Sequence, residues 1–116
     1  VSPPRVVTTR RADDDIASAV IYYLESGAVD AASRFVDSLE AARDLLRAHP
    51  SMGSPRLAIE TGMREIRGLA LQHFPYSVIY TEDPDAVRIH RVLHTSHDIA
   101  VELGSAPAPR DSASPT

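Results

Sequence analysis

Three of the five histidines crowd into one short stretch, as His90, His94 and His97, with Arg91 among them and Asp98 behind. Two chemistries are open to such a set. The first is a metal site. On a helix, spacings of four and three residues would bring the imidazoles to one side. On a strand, His90 and His94 share a face but stand about 13 Å apart at ~3.3 Å per residue. Metal–nitrogen bonds of about 2.0–2.1 Å cannot span that gap. Arg88 to Leu93 alternates polar and apolar residues as a strand does, so no metal is expected. The second chemistry is RNA cleavage, in which a base takes the proton of a 2′-hydroxyl, an acid protonates the leaving 5′-oxygen and a cation steadies the phosphorane. His94 and His97 suit the proton roles, and Arg64, Arg67 and Arg91 suit the phosphate. A plainer arrangement pairs Arg91 with Asp98 and packs His94 at a strand end. Residue types favour it, because none of these spacings is diagnostic of catalysis.

The rest of the composition removes further classes. All twelve basic residues are Arg, which excludes a lysine general base, a Schiff base and a phosphate-loop lysine. With no cysteine there is no thiol nucleophile, thiolate metal site or disulfide. There is no Gly-x-Ser-x-Gly and no glycine pattern for a nucleotide, and no cofactor is expected. A net charge of −4 and a pI near 5.6 argue against broad binding to a phosphate backbone, and no direct sequence-specific binding of nucleic acid is expected. No apolar run approaches the ~20 residues of a membrane span, so a cytoplasmic protein is expected. The length of 116 residues suits one domain, expected over residues 5–103. Residues 1–4 are expected to be flexible, and the stretch 104–116, poor in large apolar side chains, disordered.

The elements that would hold these residues follow from periodicity. Arg5 to Thr9 is short and β-branched, a first strand. Asp13, Asp14 and Asp15 suit the mouth of a helix, where carboxylates meet its positive end and any one of them could cap it. Ile16, Ala19, Val20, Tyr23 and Leu24 then recur at helical spacing, and Ser26-Gly27 ends the run. A second helix from about Val29 to Ala48 carries an apolar stripe of Ala32, Phe35, Val36, Leu39, Ala42 and Leu46, and Pro50 stops it. The short link predicts an antiparallel helical hairpin. Ser51 to Gly62 is expected to be a connection without regular structure.

Met63 to Leu71 predicts a strand in which Arg64 and Ile66 face one way and Arg67, Leu69 and Leu71 the other. Phe74, Tyr76, Val78 and Tyr80 alternate along the next strand, and Glu82-Asp83-Pro84-Asp85 supplies a turn. Val87, Ile89 and Leu93 then share a face opposite Arg88, His90 and His94, and Val92 breaks the parity, which predicts a bulge near Arg91. The expected fold is α+β: an N-terminal strand, then a two-helix antiparallel hairpin packed on one face of a small antiparallel sheet. The other face would be left uncovered, displaying Arg, His and Tyr.

Particular strings add a family. Gly62-Met63-Arg64-Glu65-Ile66-Arg67, then FPYSVIY over 74–80, VRIHRVLH over 87–94 and His97-Asp98-Ile99 resemble the RelE/ParE superfamily of bacterial type II toxins. The resemblance is nearest to the ParE-like, plasmid-stabilisation branch and covers residues 5–103. Members usually carry Arg where this chain has His97. The resemblance implies a toxin neutralised by a cognate ParD-like antitoxin in a hetero-oligomer. ParE-like members poison DNA gyrase, whereas RelE-like members cut mRNA on the ribosome. The absence of Lys, and of any aromatic residue after Tyr80, favours the former, which is binding rather than catalysis and needs no catalytic residue. The alternative is a ribosome-dependent endoribonuclease using Arg64, Arg91, His94 and His97; a third reading is an inactive relative that keeps only antitoxin binding. Partner contacts are expected at Arg64, Arg67, Tyr76, Arg91, His94 and Asp98, with acidic residues of the antitoxin meeting the arginines.

Overall fold

Thr9 sets the start of the first helix. A computed structural model describes residues 4–63, 65–96 and 99–105, and in it β1 (Val6–Thr8) runs directly into α1 (Arg10–Glu25). Thr9 is extended, and its hydroxyl accepts the Ala12 N–H at 3.1 Å. The helix therefore begins ahead of the aspartate triplet, and the expectation that one of those carboxylates caps it is corrected. Asp13 instead accepts a hydrogen bond from the Thr8 hydroxyl, and Asp15 engages Arg91. Gly27, at φ +75°, turns the chain out of α1. The second helix, α2 (Val29–Ala48), ends at His49 ahead of Pro50, as the sequence predicts.

Four strands form one sheet in the order β1-β4-β3-β2, with β2 spanning Ile66–Ala70, β3 Tyr76–Glu82 and β4 Val87–His94. The β2–β3 and β3–β4 pairs are antiparallel, but β1 lies parallel to β4, so the sheet is mixed rather than wholly antiparallel. The cause is the hairpin. Two antiparallel helices return the chain to the end of the sheet where β1 begins, with Arg43 of α2 donating to the Val6 carbonyl at 3.1 Å, so β2 and, after β3 reverses, β4 run the same way as β1. The next segment must then cross the sheet before β2 can start. It does so as an ordered strap: Ser54 pairs with Gly68 on the outer edge of β2, and residues Arg56–Thr61 form a short helix, α3. The stretch expected to lack regular structure thus contains a helix, terminated by Gly62 at φ +71°.

Tyr80 pins that strap. Its buried hydroxyl donates to the Pro50 carbonyl and accepts the Gly53 N–H, both at 2.8 Å, while Arg67 donates to the Gly53 carbonyl at 2.9 Å. A Cβ on Gly53 would lie 2.5 Å from the Tyr80 hydroxyl oxygen, so only glycine lets the backbone come this close.

The expected bulge is present. Ile79 pairs with Arg91 and Tyr80 with Ile89, which leaves His90 as the extra residue. It reverses the parity of everything after it. Val87, Ile89 and Val92 pack with Phe35, Leu39, Leu46, Val78 and Tyr80 under the helical hairpin. Leu93 falls on the opposite face with Ile66 and Ile79, and His94 stacks edge-on against Tyr76 on the hairpin side. Leu93 therefore does not share a face with Val87 and Ile89, nor His94 with His90. The opposite face is also covered rather than open. Leu57 and Ala58 of α3, together with Ile99 and Leu103 of a last helix, α4 (Ile99–Ser105), close over Ile66, Ile79 and Leu93. Burying those apolar side chains stabilises the packing of two helices too short to persist alone. Among the described residues no helix is long and apolar enough to cross a membrane.

Candidate partner-binding site

Tyr76, Arg91 and His94 come together, as the sequence suggests, in a cleft of about 430 Å³ between α1, the end of β4 and α4. Asp15, Ser18 and Tyr22 of α1 form one wall, and Ser96 and Glu102 close the other end. Tyr76 and His94 are cross-strand partners with ring centroids 5.0 Å apart. The Tyr76 ring also meets Phe35 at 5.1 Å, so its position is fixed by the core beneath. Burial raises the Tyr76 pKa, with Tyr23 and Tyr22 adding to the shift, and the phenol stays protonated. His94 Nδ1 accepts the Ser96 N–H at 3.0 Å, which sets the proton of the neutral ring on Nε2.

Arg91 dominates the electrostatics. Its Nε and Nη2 donate to the two oxygens of Asp15 at 2.7 and 3.0 Å, a bidentate pair with both side chains largely buried. One of those oxygens also accepts the Val92 N–H at 3.0 Å. That backbone group lies just past the reach of β1, whose pairing with β4 ends at Ile89. The hydrogen bond to Asp15 raises the Arg91 pKa. Arg91 is thus already paired within the fold by Asp15, and Glu102 adds a further carboxylate to the cleft. The guanidinium that could steady a phosphate here is already paired through Nε and Nη2, and its Nη1 is buried without a hydrogen-bond partner among the described residues.

Arg67 lies apart from this cleft, held by the Gly53 carbonyl on the α3 strap. Arg64, His97 and Asp98 lie outside the described residues. His90 faces away, its Nε2 2.8 Å from the Thr81 hydroxyl, and burial lowers its pKa. The residue sequence reasoning missed is Asp15. The aspartate triplet stood out, but as a helix start; only the contact of α1 with β4 shows that the third of the three serves Arg91.

A β-strand, a helical hairpin and a mixed four-stranded sheet with this cleft at its end define a small α+β fold of known type. A chain in the solved structure of the chromosomal ParDE TA system from P. aeruginosa has the same fold, with a TM-score of 0.65 at 19% identity, covering 78% of this chain and 95% of that one. No curated protein sequence matches the chain. Residues 6–99 match the family described as ParE toxin of type II toxin-antitoxin system, parDE, and the chain belongs to that family. The expectation drawn from the strand motifs is met at this level.

Proposed function

We propose that the chain is the toxin of a plasmid-stabilising toxin–antitoxin pair, that it inhibits DNA gyrase by binding, and that a cognate ParD-like antitoxin holds it inactive in a cytoplasmic hetero-oligomer. Family membership supports the toxin role. The observation that carries the choice of binding over catalysis is the Asp15–Arg91 pair. A ribonuclease needs a cation free to meet the phosphorane, and both arginines of β4 are committed to carboxylates, Arg91 to Asp15 at 2.7 Å and Arg88 to Asp83 and Asp85. The cleft instead offers flat aromatic surface from Tyr22 and Tyr76 beside polar groups, a composition typical of protein contacts. Tyr76, Arg91 and His94 are the residues we assign to it, and Arg64 and Asp98, outside the described residues, stay proposed as partner contacts from sequence.

Supercoiling by purified gyrase, assayed with and without the chain, tests this reading. Inhibition that grows with toxin concentration and is relieved by the antitoxin is the expected result. Messenger RNA cut on purified ribosomes, with gyrase unaffected, would instead establish the endoribonuclease using Arg64, Arg91, His94 and His97. Silence in both assays with antitoxin binding retained would mark an inactive relative.

A further inference from the structure

Arg10 and Arg11 occupy the first turn of α1, where the helix dipole favours carboxylates and disfavours cations. Both are exposed, and neither forms an ion pair among the described residues. Asp13 and Asp14 follow at three and four residues, but an Arg placed ahead of its Asp is the weaker order for such pairs. Two cations therefore sit where the helix gains nothing from them. Beside them a groove of about 530 Å³ opens between α1, β3, β4 and α4. Its walls are Met63, Ile66 and Leu103, and its polar floor is closed, because Thr81 and His90 satisfy each other. Burial lowers the His90 pKa, so the floor is uncharged near neutral pH.

We propose that this groove docks an acidic, apolar segment of the neutralising partner, its large apolar side chain between Met63, Ile66 and Leu103 and its carboxylates on Arg10 and Arg11. This rests on the reading of the chain as a toxin held by an antitoxin. Charge complementarity selects the occupant. Of the guanidinium groups expected from sequence to meet acidic residues, Arg64, Arg67 and Arg91, the two among the described residues are already engaged by Gly53 and Asp15, whereas Arg10 and Arg11 form no ion pair among the described residues. Apolar walls disfavour a phosphate backbone, which has no apolar side chain to set between them. The groove lies away from Tyr76 and His94, on the side of Arg91 that faces His90, so its occupant would leave those two side chains uncovered.

The probe is a fluorescein-labelled peptide of alternating Glu and Leu, with its Lys-for-Glu counterpart, read by fluorescence anisotropy against the full chain. The Glu peptide is expected to bind at least tenfold more tightly than the Lys peptide. Arg10→Glu/Arg11→Glu should abolish that preference, and Met63→Asp should weaken binding about fivefold. Because carboxylates suit the start of α1, the double variant should melt at or above the temperature of the unaltered chain, so lost binding cannot be laid to unfolding. Equal binding of the Glu peptide by the double variant would overturn the proposal. So would preference for an RNA or single-stranded DNA oligonucleotide lost in the same variant. Co-expression with the protein encoded beside this chain separates the two readings. If it rescues growth equally from the unaltered toxin and from Arg10→Glu/Arg11→Glu, the groove is refuted and the toxin reading stands. If it rescues neither while the peptide result holds, the toxin reading fails and the groove remains a site for acidic segments.

Discussion

The two faces of the sheet are built on unequal terms. Under the hairpin, α2 lays Phe35, Leu39 and Leu46 against Tyr76, Val78, Tyr80, Val87, Ile89 and Val92, and an aromatic chain runs from Tyr23 through Phe35 and Phe74. Among the described residues the other face buries Ile66, Ile79 and Leu93, under two helices of six and seven residues. One face is a core and the other is a lid. The contrast teaches where a partner gains most. A lid held by few side chains gives up little stability when it shifts, and both clefts described above border α4.

The largest expected effect tests that inequality directly. Phe35→Ala should cost about 3–5 kcal/mol, enough to unfold much of the population, whereas Leu103→Ala should cost about 2 kcal/mol because a short helix can settle into the space. Urea denaturation measures both, and equal losses would erase the distinction between core and lid. Asp15→Ala comes next. It leaves Arg91 charged and largely buried without its partner, at a cost of about 3 kcal/mol; Arg91→Met made alongside it should recover most of the loss. Gly53→Ala forces its Cβ against the Tyr80 hydroxyl and should cost about 1–3 kcal/mol. Tyr80→Phe costs stability by itself, yet the double variant should lose less than the sum of the two.

The smallest effect is on the lid face and concerns pH. Burial holds the His90 pKa below its ordinary 6.5, so the unfolded chain takes up this proton first. The contribution is fully present above pH 6.5 and is lost as pH falls through that value towards the folded pKa. Melting temperature should drift down across this window, and His90→Gln should flatten the drift.

Most of the fold was legible because it is written in local periods. Helical spacing located α1 and α2, Gly27 and Pro50 their ends, and two-residue alternation β3 and β4. Even the bulge showed, since Val92 breaks the count. What was not legible depends on residues far apart in the chain. Met63 to Leu71 predicted a strand, and the strand is Ile66–Ala70, with Met63 and Glu65 ahead of it and Leu71 beyond it outside the ladder. The strap through α3 has little periodicity of its own and is fixed by Tyr80 and Gly68, so it passed for a plain connection. Of the candidate site, the grouping of Tyr76, Arg91 and His94 could be anticipated, because one strand pair carries all three.

The sequence by itself determined the family, the α+β class and the chemistry that is excluded, since these rest on residue types and their order. Only the tertiary structure decided which cations are spent and which are free. An arginine's availability depends on what the fold places within hydrogen-bond reach of it. Asp15 lies 76 residues from Arg91 and 2.7 Å away, while Arg10, a single turn of helix from Asp14, makes no ion pair among the described residues.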